Sequence, residues 1–150
     1  MRLILLAGDI RVGKTTFGKK LAAHLGLPHT AFADEVKSLA ANYYPEKSAA
    51  IYAETKTATT RELLCKVSLI ARETIHDDLF TQMALQKATF KGLVISDLRF
   101  NRELEYINKL KLDYELLWIG GPTDTYDLKS IYKYSTKYLP KYPELNDYLS

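Results

Sequence analysis

Two glycines, a lysine and a hydroxyl residue occur at a characteristic spacing near the start of this 150-residue chain. The stretch "GDIRVGKTT" fits the pattern G-x-x-x-x-G-K-[ST] at Gly8, Gly13, Lys14 and Thr15. Glycines let a backbone wrap closely round an anion, and the N–H groups of a helix N-terminus attract phosphate. The lysine can reach the β- and γ-phosphates, and the threonine hydroxyl can bind magnesium. The pattern predicts a nucleoside-triphosphate site, with an ordinary glycine-rich turn and a solvated lysine as the alternative.

The sequence on either side of this motif favours the phosphate-binding interpretation. A phosphate loop follows a buried strand and opens a helix. The apolar run at residues 3–7 predicts the strand, and Phe17, Leu21 and Leu25, spaced four apart, predict a helix that Gly26 ends. The residues expected to contact ATP are Gly8, Asp9, Arg11, Val12, Gly13, Lys14, Thr15 and Thr16.

A second group of charged residues follows another apolar run, in "VISDLRF". An acid that ends a core strand can hold the magnesium shell, so Asp97 is a candidate metal ligand, and Arg99 can face the same crevice. The alternative is an aspartate that caps the turn and an arginine paired with Glu103. Asp34 and Lys37, at the start of a predicted helix, are further candidates for this cleft. For them the alternative is a capping aspartate and a surface lysine.

Arg61 and Arg72 form a third group. They are eleven residues apart, about three helical turns, so they share one stripe of a predicted helix with Cys65 and Ser68. Two guanidinium groups on one face could bind an anionic group bidentately, whereas a solvated face with local ion pairs is the alternative. Their separation of about 16 Å along the axis is too long for one phosphate. We therefore expect one arginine to make most of the contact.

Strands and helices alternate along the whole chain, which predicts a parallel sheet with helices on both faces and ligands at the carboxyl ends of the strands. Residues 46–59 have no clear period and predict a loop or weak helix. The T-x-x-E box that begins at Thr59 predicts a helix start. Tyr43, Ile70 and Leu110 are expected to face the core. The predicted elements are strands at 29–32, 92–96 and 114–120, a helix at 33–44 and a helix capped by Asn101.

Composition points to one globular domain. The chain is 47% hydrophobic, and its 21 basic and 18 acidic residues give a net charge of +3, too mild to indicate nucleic acid by itself. The single Cys65 excludes an internal disulfide and favours a reducing compartment. No apolar run approaches the ~18 residues of a membrane span, so a cytoplasmic protein is expected. Six of the eleven tyrosines fall after residue 125, an aromatic tail that leaves a homodimer open.

Four segments, "LILLAGDIRVGKTT", "FADEVKSLA", "TRELLCKVSLIAR" and "LVISDLRFNRELEYI", together resemble the deoxynucleoside monophosphate kinases of bacteriophages, within the P-loop kinase superfamily. The resemblance covers residues 2–121, and residues 121–150 form a divergent tyrosine-rich tail of the same domain. It implies a three-layer α/β sandwich that transfers the γ-phosphoryl group of ATP to a (deoxy)nucleoside 5′-monophosphate with Mg²⁺. The expected place is the cytoplasm, a host's cytoplasm if the chain is viral.

The resemblance also implies roles for individual residues. It places Lys14, Arg72, Asp97 and Arg99 in catalysis and Thr15 and Asp97 on the metal. It places Asp34, Lys37, Arg61, Arg72 and Arg99 on the side of the acceptor, with Arg72 the stronger of the two helical arginines. Two alternatives remain open. One is a P-loop kinase for another acceptor, such as a polynucleotide 5′-hydroxyl or a small metabolite; the other is a nucleotide-binding protein without turnover.

Overall fold

The computed structural model describes residues 1–8, 14–53, 55–98 and 100–119. Four strands and six α-helices alternate along this part of the chain, with one short 3₁₀ turn at Pro45–Lys47. The strands are β1 (Arg2–Gly8), β2 (His29–Thr30), β3 (Gly92–Leu98) and β4 (Tyr114–Ile119). The helices are α1 (Lys14–Leu25), α2 (Phe32–Tyr43), α3 (Ser48–Tyr52), α4 (Ala58–Thr74), α5 (Leu79–Leu85) and α6 (Asn101–Lys109).

The strands form one parallel sheet in the order β2-β3-β1-β4. Successive side chains of a strand point to opposite faces, and β1 follows this rule. Leu3 and Leu5 pack in one buried cluster with residues of α2, α5 and α6, whereas Ile4 and Leu6 pack in a second cluster with residues of α1. The predicted α/β architecture, a parallel sheet with helices on both faces, is confirmed.

The strand order creates a crevice between β1 and β3. From β1 the chain passes over β3 to reach β2, and from β3 it passes over β1 to reach β4. Two neighbouring strands whose connections leave in opposite directions open a space at their carboxyl ends, which is where open α/β sheets bind ligands. Gly8 ends β1 and Leu98 ends β3. Gly8, the first residue of the phosphate-loop motif, and Asp97 therefore lie at the same edge of the sheet.

An irregularity in β3 changes the direction of its last residues. Leu5 pairs with Ile95 and Ala7 pairs with Leu98, so two steps along β1 correspond to three steps along β3. The extra residue is a β-bulge, a feature that re-aims side chains and is frequent beside functional sites. As a result Asp97 is half-buried, while Ser96 and Leu98 on either side of it are fully buried.

Helix α1 lies close against the sheet because Gly18 has no side chain. A Cβ atom at this position would lie 2.8 Å from the Cβ atom of Ser96 and 3.1 Å from Leu6 Cδ1. The helix ends as predicted at Gly26, whose φ of 67° is the left-handed conformation that favours glycine. Close packing of α1 fixes its first residue, Lys14, at the sheet edge.

Several sequence-based boundaries are wrong. The predicted strand at 29–32 ends at Thr30, and Phe32 already belongs to α2. The N-cap of α4 is Thr57, two residues before the predicted Thr59, because the hydroxyl of Thr57 accepts the Thr60 N–H at 3.2 Å. Phe100 rather than Asn101 is the N-cap of α6. For 46–59 a loop or weak helix was predicted, and the short helix α3 at Ser48–Tyr52 agrees with the second alternative. Three residues expected in the core are exposed: Tyr43, Ile70 and Leu110.

A buried ion pair attaches α2 to the rest of the domain. The carboxylate of Glu35 is only 5% exposed and lies 2.6 Å from Lys87 Nζ, beyond the end of α5. The hydroxyl of Thr30 donates to the same carboxylate at 3.4 Å. A buried carboxylate needs such partners because burial removes its hydration. The pair therefore joins α2 to β2 and to the chain that leads into β3.

We expect Lys87→Met to reduce the free energy of unfolding by roughly 1–2 kcal/mol, because it leaves the Glu35 carboxylate buried without its cation. The loss is smaller than for a fully buried pair because half of the lysine is in water. The matched control is Lys66→Met, which breaks a Lys–Glu pair whose side chains are 67% and 66% exposed and should cost about 0.5 kcal/mol or less. Urea unfolding measures both, and equal losses would contradict the assignment.

Candidate functional site

A cleft of about 320 Å³ opens where the carboxyl end of β3 meets α2, α4, α5 and α6. Its volume falls in the range of small-molecule sites. Charged side chains of both signs contribute to its wall. They are Lys37, Arg72, Asp77, Asp97, Arg102 and Glu103. The cleft therefore brings together three of the residues that the sequence selected, which come from α2, α4 and β3.

Three phenylalanines from three different elements also line the cleft. Phe32 and Phe80 are buried residues of α2 and α5, and Phe100 precedes α6 with 38% of its surface exposed. The Arg102 guanidinium carbon lies 4.6 Å from the centre of the Phe100 ring, a cation–π distance. Aromatic faces of this kind accept flat ring systems. The sequence analysis missed this feature because the three residues are far apart in the chain.

Helix α4 presents one arginine to the cleft and not the other. Cys65, Ser68 and Arg72 line it as the predicted stripe requires, but Arg61 lies outside the lining formed by the described residues. The Nε–H of Arg72 donates to the Ser68 carbonyl at 3.3 Å. The terminal N–H groups of this guanidinium make no hydrogen bond to any residue in the described part of the chain, so they can bind a ligand. Cys65 is exposed.

Two basic side chains, Lys37 of α2 and Lys56 of the segment before α4, lie close to each other. Lys37 lines the cleft, and its Nζ atom lies 3.9 Å from Asp34 Oδ1 of the same helix. Lys56 donates to the Ala53 carbonyl at 2.8 Å. Partial burial lowers the pKa of Lys56, and the positive charges of Lys37 and Arg61 lower it further. Lys56 was not selected from the sequence because residues 46–59 offer no periodic pattern that places it.

Asp97 binds the start of helix α2. One carboxylate oxygen accepts the Phe32 N–H at 2.6 Å, and the other accepts the Ala33 N–H at 2.9 Å. The alternative considered from the sequence was a cap of the turn after β3; in the described part of the chain, Asp97 caps α2. These contacts leave the predicted metal role of Asp97 a prediction.

The triphosphate side of the site is described only in part. Gly8 ends β1, Lys14 is the first residue of α1, and Thr15 and Thr16 are exposed in its first turn. The other predicted contacts, Asp9, Arg11, Val12, Gly13 and Arg99, lie outside the described residues, as does the tail after residue 119. Within the described ranges, no three or more histidine, cysteine or acidic residues group as a metal site. No helix there is both long and apolar enough to cross a membrane.

A half-buried histidine of β2 lies close to this edge of the sheet. His29 Nε2 is 2.8 Å from the Ser96 hydroxyl, one residue before Asp97. Burial lowers the pKa of His29, the charge of Asp34 opposes this effect, and Lys19 adds to it. The folded protein therefore holds His29 neutral at a pH where the unfolded chain is partly protonated.

This shift predicts a pH dependence of stability. Because the unfolded chain binds a proton that the folded protein resists, the free energy of unfolding should fall as the pH drops below about 6.5. His29→Gln removes that proton-binding group, so the variant should lose less stability than the wild type between about pH 7.5 and 5.5. Urea unfolding at both values measures the difference, with His24→Gln, an exposed histidine of α1, as the control. Identical pH profiles for His29→Gln and the wild type would refute the prediction.

No protein-family model matches the chain, and no curated protein matches it. Among solved structures, a protein of Chloroflexus aurantiacus assigned as a kinase aligns over 78% of this chain and 58% of its own, with 15% identity and a TM-score of 0.43. The shikimate kinases of Aquifex aeolicus and Bacteroides thetaiotaomicron each align over 99% of this chain, at 16% and 15% identity. The alignments cover 79% and 83% of these two kinases, with TM-scores of 0.38 and 0.37. This chain thus spans under two thirds of the Chloroflexus protein, and the matches leave the acceptor open.

Proposed function

We propose that this protein transfers the γ-phosphoryl group of ATP to a nucleoside 5′-monophosphate. The observation that carries the proposal is the composition of the cleft. Three phenylalanine rings and the cations Lys37 and Arg72 line one space at the sheet edge where the phosphate-loop motif lies. A ligand that matches this wall has a flat ring and an anionic group. A nucleoside monophosphate has both, whereas a non-aromatic metabolite leaves the rings without a partner.

The triphosphate side supplies charge neutralisation. Lys14 is positioned to offset the charge that spreads over the transferring phosphoryl group. Thr15 offers an exposed hydroxyl, and Asp97 offers two carboxylate oxygens. This oxygen set fits Mg²⁺, which binds through few protein ligands and retains several waters. When bound, the metal would neutralise phosphate charge beside Lys14.

The acceptor side supplies orientation. Arg72 can bind a phosphate through its terminal N–H groups, and Lys37 adds a point charge from the neighbouring helix. A phosphate monoester is largely dianionic at neutral pH, because its second pKa is about 6. Its oxygen can therefore attack without first losing a proton, and the site needs no general base. Most of the rate enhancement then comes from alignment and electrostatic stabilisation.

The direct test is acceptor-dependent ADP formation. With ATP and magnesium, we expect turnover with a nucleoside monophosphate and none with shikimate, with an oligonucleotide bearing a 5′-hydroxyl, or without acceptor. Lys14→Ala should lower kcat more than a hundredfold, since a positioned cation lowers the barrier by about 3 kcal/mol. Lys19→Ala, which removes an exposed charge from the same helix, should lower it less than threefold and serves as the control.

Each other outcome of this assay points to a different function. Turnover only with shikimate or with the oligonucleotide would show a P-loop kinase for another acceptor. ATP binding without ADP formation would show a nucleotide-binding protein. Near-normal turnover by Lys14→Ala would contradict the assignment of the phosphate loop itself.

Arg72→Ala should raise the KM for the nucleoside monophosphate about 10- to 100-fold and leave the KM for ATP within about twofold. A hydrogen bond to a charged group contributes about 1.5–3 kcal/mol, and the phosphate loop is untouched. Arg61→Ala should have a smaller effect, because Arg61 is outside the cleft lining. Steady-state kinetics with each substrate varied in turn measures both. Equal losses for ATP and acceptor would indicate general destabilisation, and no change would move the acceptor away from α4.

Cys65 provides a check that does not depend on turnover. It is the only cysteine in the chain, it is exposed, and it lines the cleft. A bound nucleoside monophosphate should slow its reaction with a maleimide, and Arg72→Ala should require more nucleotide for the same protection. Protection by ATP alone, with none from the monophosphate, would place a different ligand in the cleft.

A further inference from the structure

Helix α2 begins at a residue that cannot cap it. The first N–H groups of an α-helix have no partner within the helix and need an acceptor from elsewhere. The N-cap residue of α2 is Ala31, which makes no side-chain hydrogen bond and whose methyl group contains no acceptor. Alanine is among the least favoured residues at this position for that reason. The local sequence therefore does not account for the start of the helix.

The acceptor for these N–H groups comes from a residue that is distant in the sequence. Asp97 is 65 residues from Phe32, and its two oxygens accept the Phe32 and Ala33 N–H groups at 2.6 and 2.9 Å. A carboxylate at this end of a helix also interacts favourably with the helix dipole. The bulge in β3 directs the carboxylate to these two N–H groups. One side chain thus replaces the whole local cap.

The helix held in this way forms one wall of the cleft. Phe32, Ala33, Val36 and Lys37 all line it, and the first two supply the N–H groups that Asp97 binds. Asp97 is the penultimate residue of β3 and lies beside the crevice between β1 and β3. The carboxylate of Asp97 therefore sets the position of this wall relative to the carboxyl ends of β1 and β3.

We propose that Asp97 is a positioning residue, which holds the first turn of α2 in place beside the carboxyl end of β1. The contact between Asp97 and α2 stands on the hydrogen bonds alone, whereas its effect on the acceptor rests on the proposed kinase function. A role on the metal shell would require the charge of Asp97. The positioning role requires its acceptor atoms, and this difference separates the two experimentally.

Two substitutions exploit this difference. Asp97→Asn removes the charge and keeps one carbonyl oxygen that can accept an N–H, while Asp97→Ala removes both acceptors. Asparagine is nearly as good a helix cap as aspartate, and alanine is much worse. Asp78→Ala is the matched control, because Asp78 occupies the N-cap position of α5 without making a side-chain capping bond.

Hydrogen exchange of the Phe32 and Ala33 amides gives the first measurement. We expect exchange about 5- to 30-fold faster in Asp97→Ala, an intermediate change in Asp97→Asn and none in Asp78→Ala. Amides in the middle of α4 should exchange at wild-type rates in all three proteins. Unchanged exchange at Phe32 and Ala33 in Asp97→Ala would overturn the proposal. If that variant does not fold, the comparison of Asp97→Asn with Asp78→Ala decides in the same way.

Kinetics gives the second measurement. We expect the acceptor KM to rise about tenfold in Asp97→Ala and two- to threefold in Asp97→Asn, following the order of capping ability. In the opposite pattern, both variants change the magnesium concentration at half-saturation by the same factor, and the acceptor KM is unchanged. That pattern shows a metal ligand only and overturns the proposal. If the wild type transfers no phosphoryl group, the proposed function fails by itself, and hydrogen exchange still decides whether Asp97 positions α2.

Discussion

Parallel pairing of β1 with β3 at the centre of the sheet is the constraint on which the rest of the structure depends. The two strands are in register from Arg2 with Gly92 to Leu5 with Ile95, and both are almost entirely buried. Parallel strands must be joined by crossovers, so each strand delivers the following chain to the same edge of the sheet. The crossovers leave β1 and β3 in opposite directions. The crevice, the end of the phosphate-loop motif and the acid of β3 meet at one place for this reason.

Helix α2 has two functions in this arrangement. Its buried residues hold it against the sheet, through Phe32 in the core and Glu35 in the ion pair with Lys87. Its other face lines the cleft with Val36 and Lys37. A helix that is both anchored and exposed in this way needs strong attachment at its ends, because few apolar contacts remain on the cleft side. The carboxylate at its first turn and the buried carboxylate within it meet that need by hydrogen bonding and charge.

Three basic side chains, Lys37, Lys56 and Arg61, lie close together in the folded domain. Lys37 and Arg61 are close enough to Lys56 to lower the pKa of Lys56. Within the described ranges, the contact of Lys37 with Asp34, at 3.9 Å, is the only ion pair that any of these three cations makes. Cations that repel one another raise the energy of the folded protein unless an anion binds between or beside them. The acids of the cleft are differently placed, since Asp97 is bound to backbone N–H groups and the Glu103 carboxylate accepts the Phe100 N–H. Among the described residues, the lining of the cleft thus has three basic and three acidic side chains, and two of the acids accept backbone N–H groups.

The sequence by itself determined the features that depend on neighbouring residues. The order of strand, glycine-rich motif and helix from residue 2 to residue 26 follows from local periodicity and from a glycine that ends the helix, and the alternation of strands and helices predicted the parallel sheet. The tertiary structure decided what depends on distant residues. Helix α2 starts at Phe32, one residue before the predicted start, because its cap is an acid 65 residues away. Arg72 rather than Arg61 lines the cleft, and three phenylalanines meet there, because the packing of α2, α4 and α5 selects which part of each helix faces the opening. Ile70 was expected in the core and is 58% exposed, since periodicity identifies an apolar face but only packing determines how much of that face is covered.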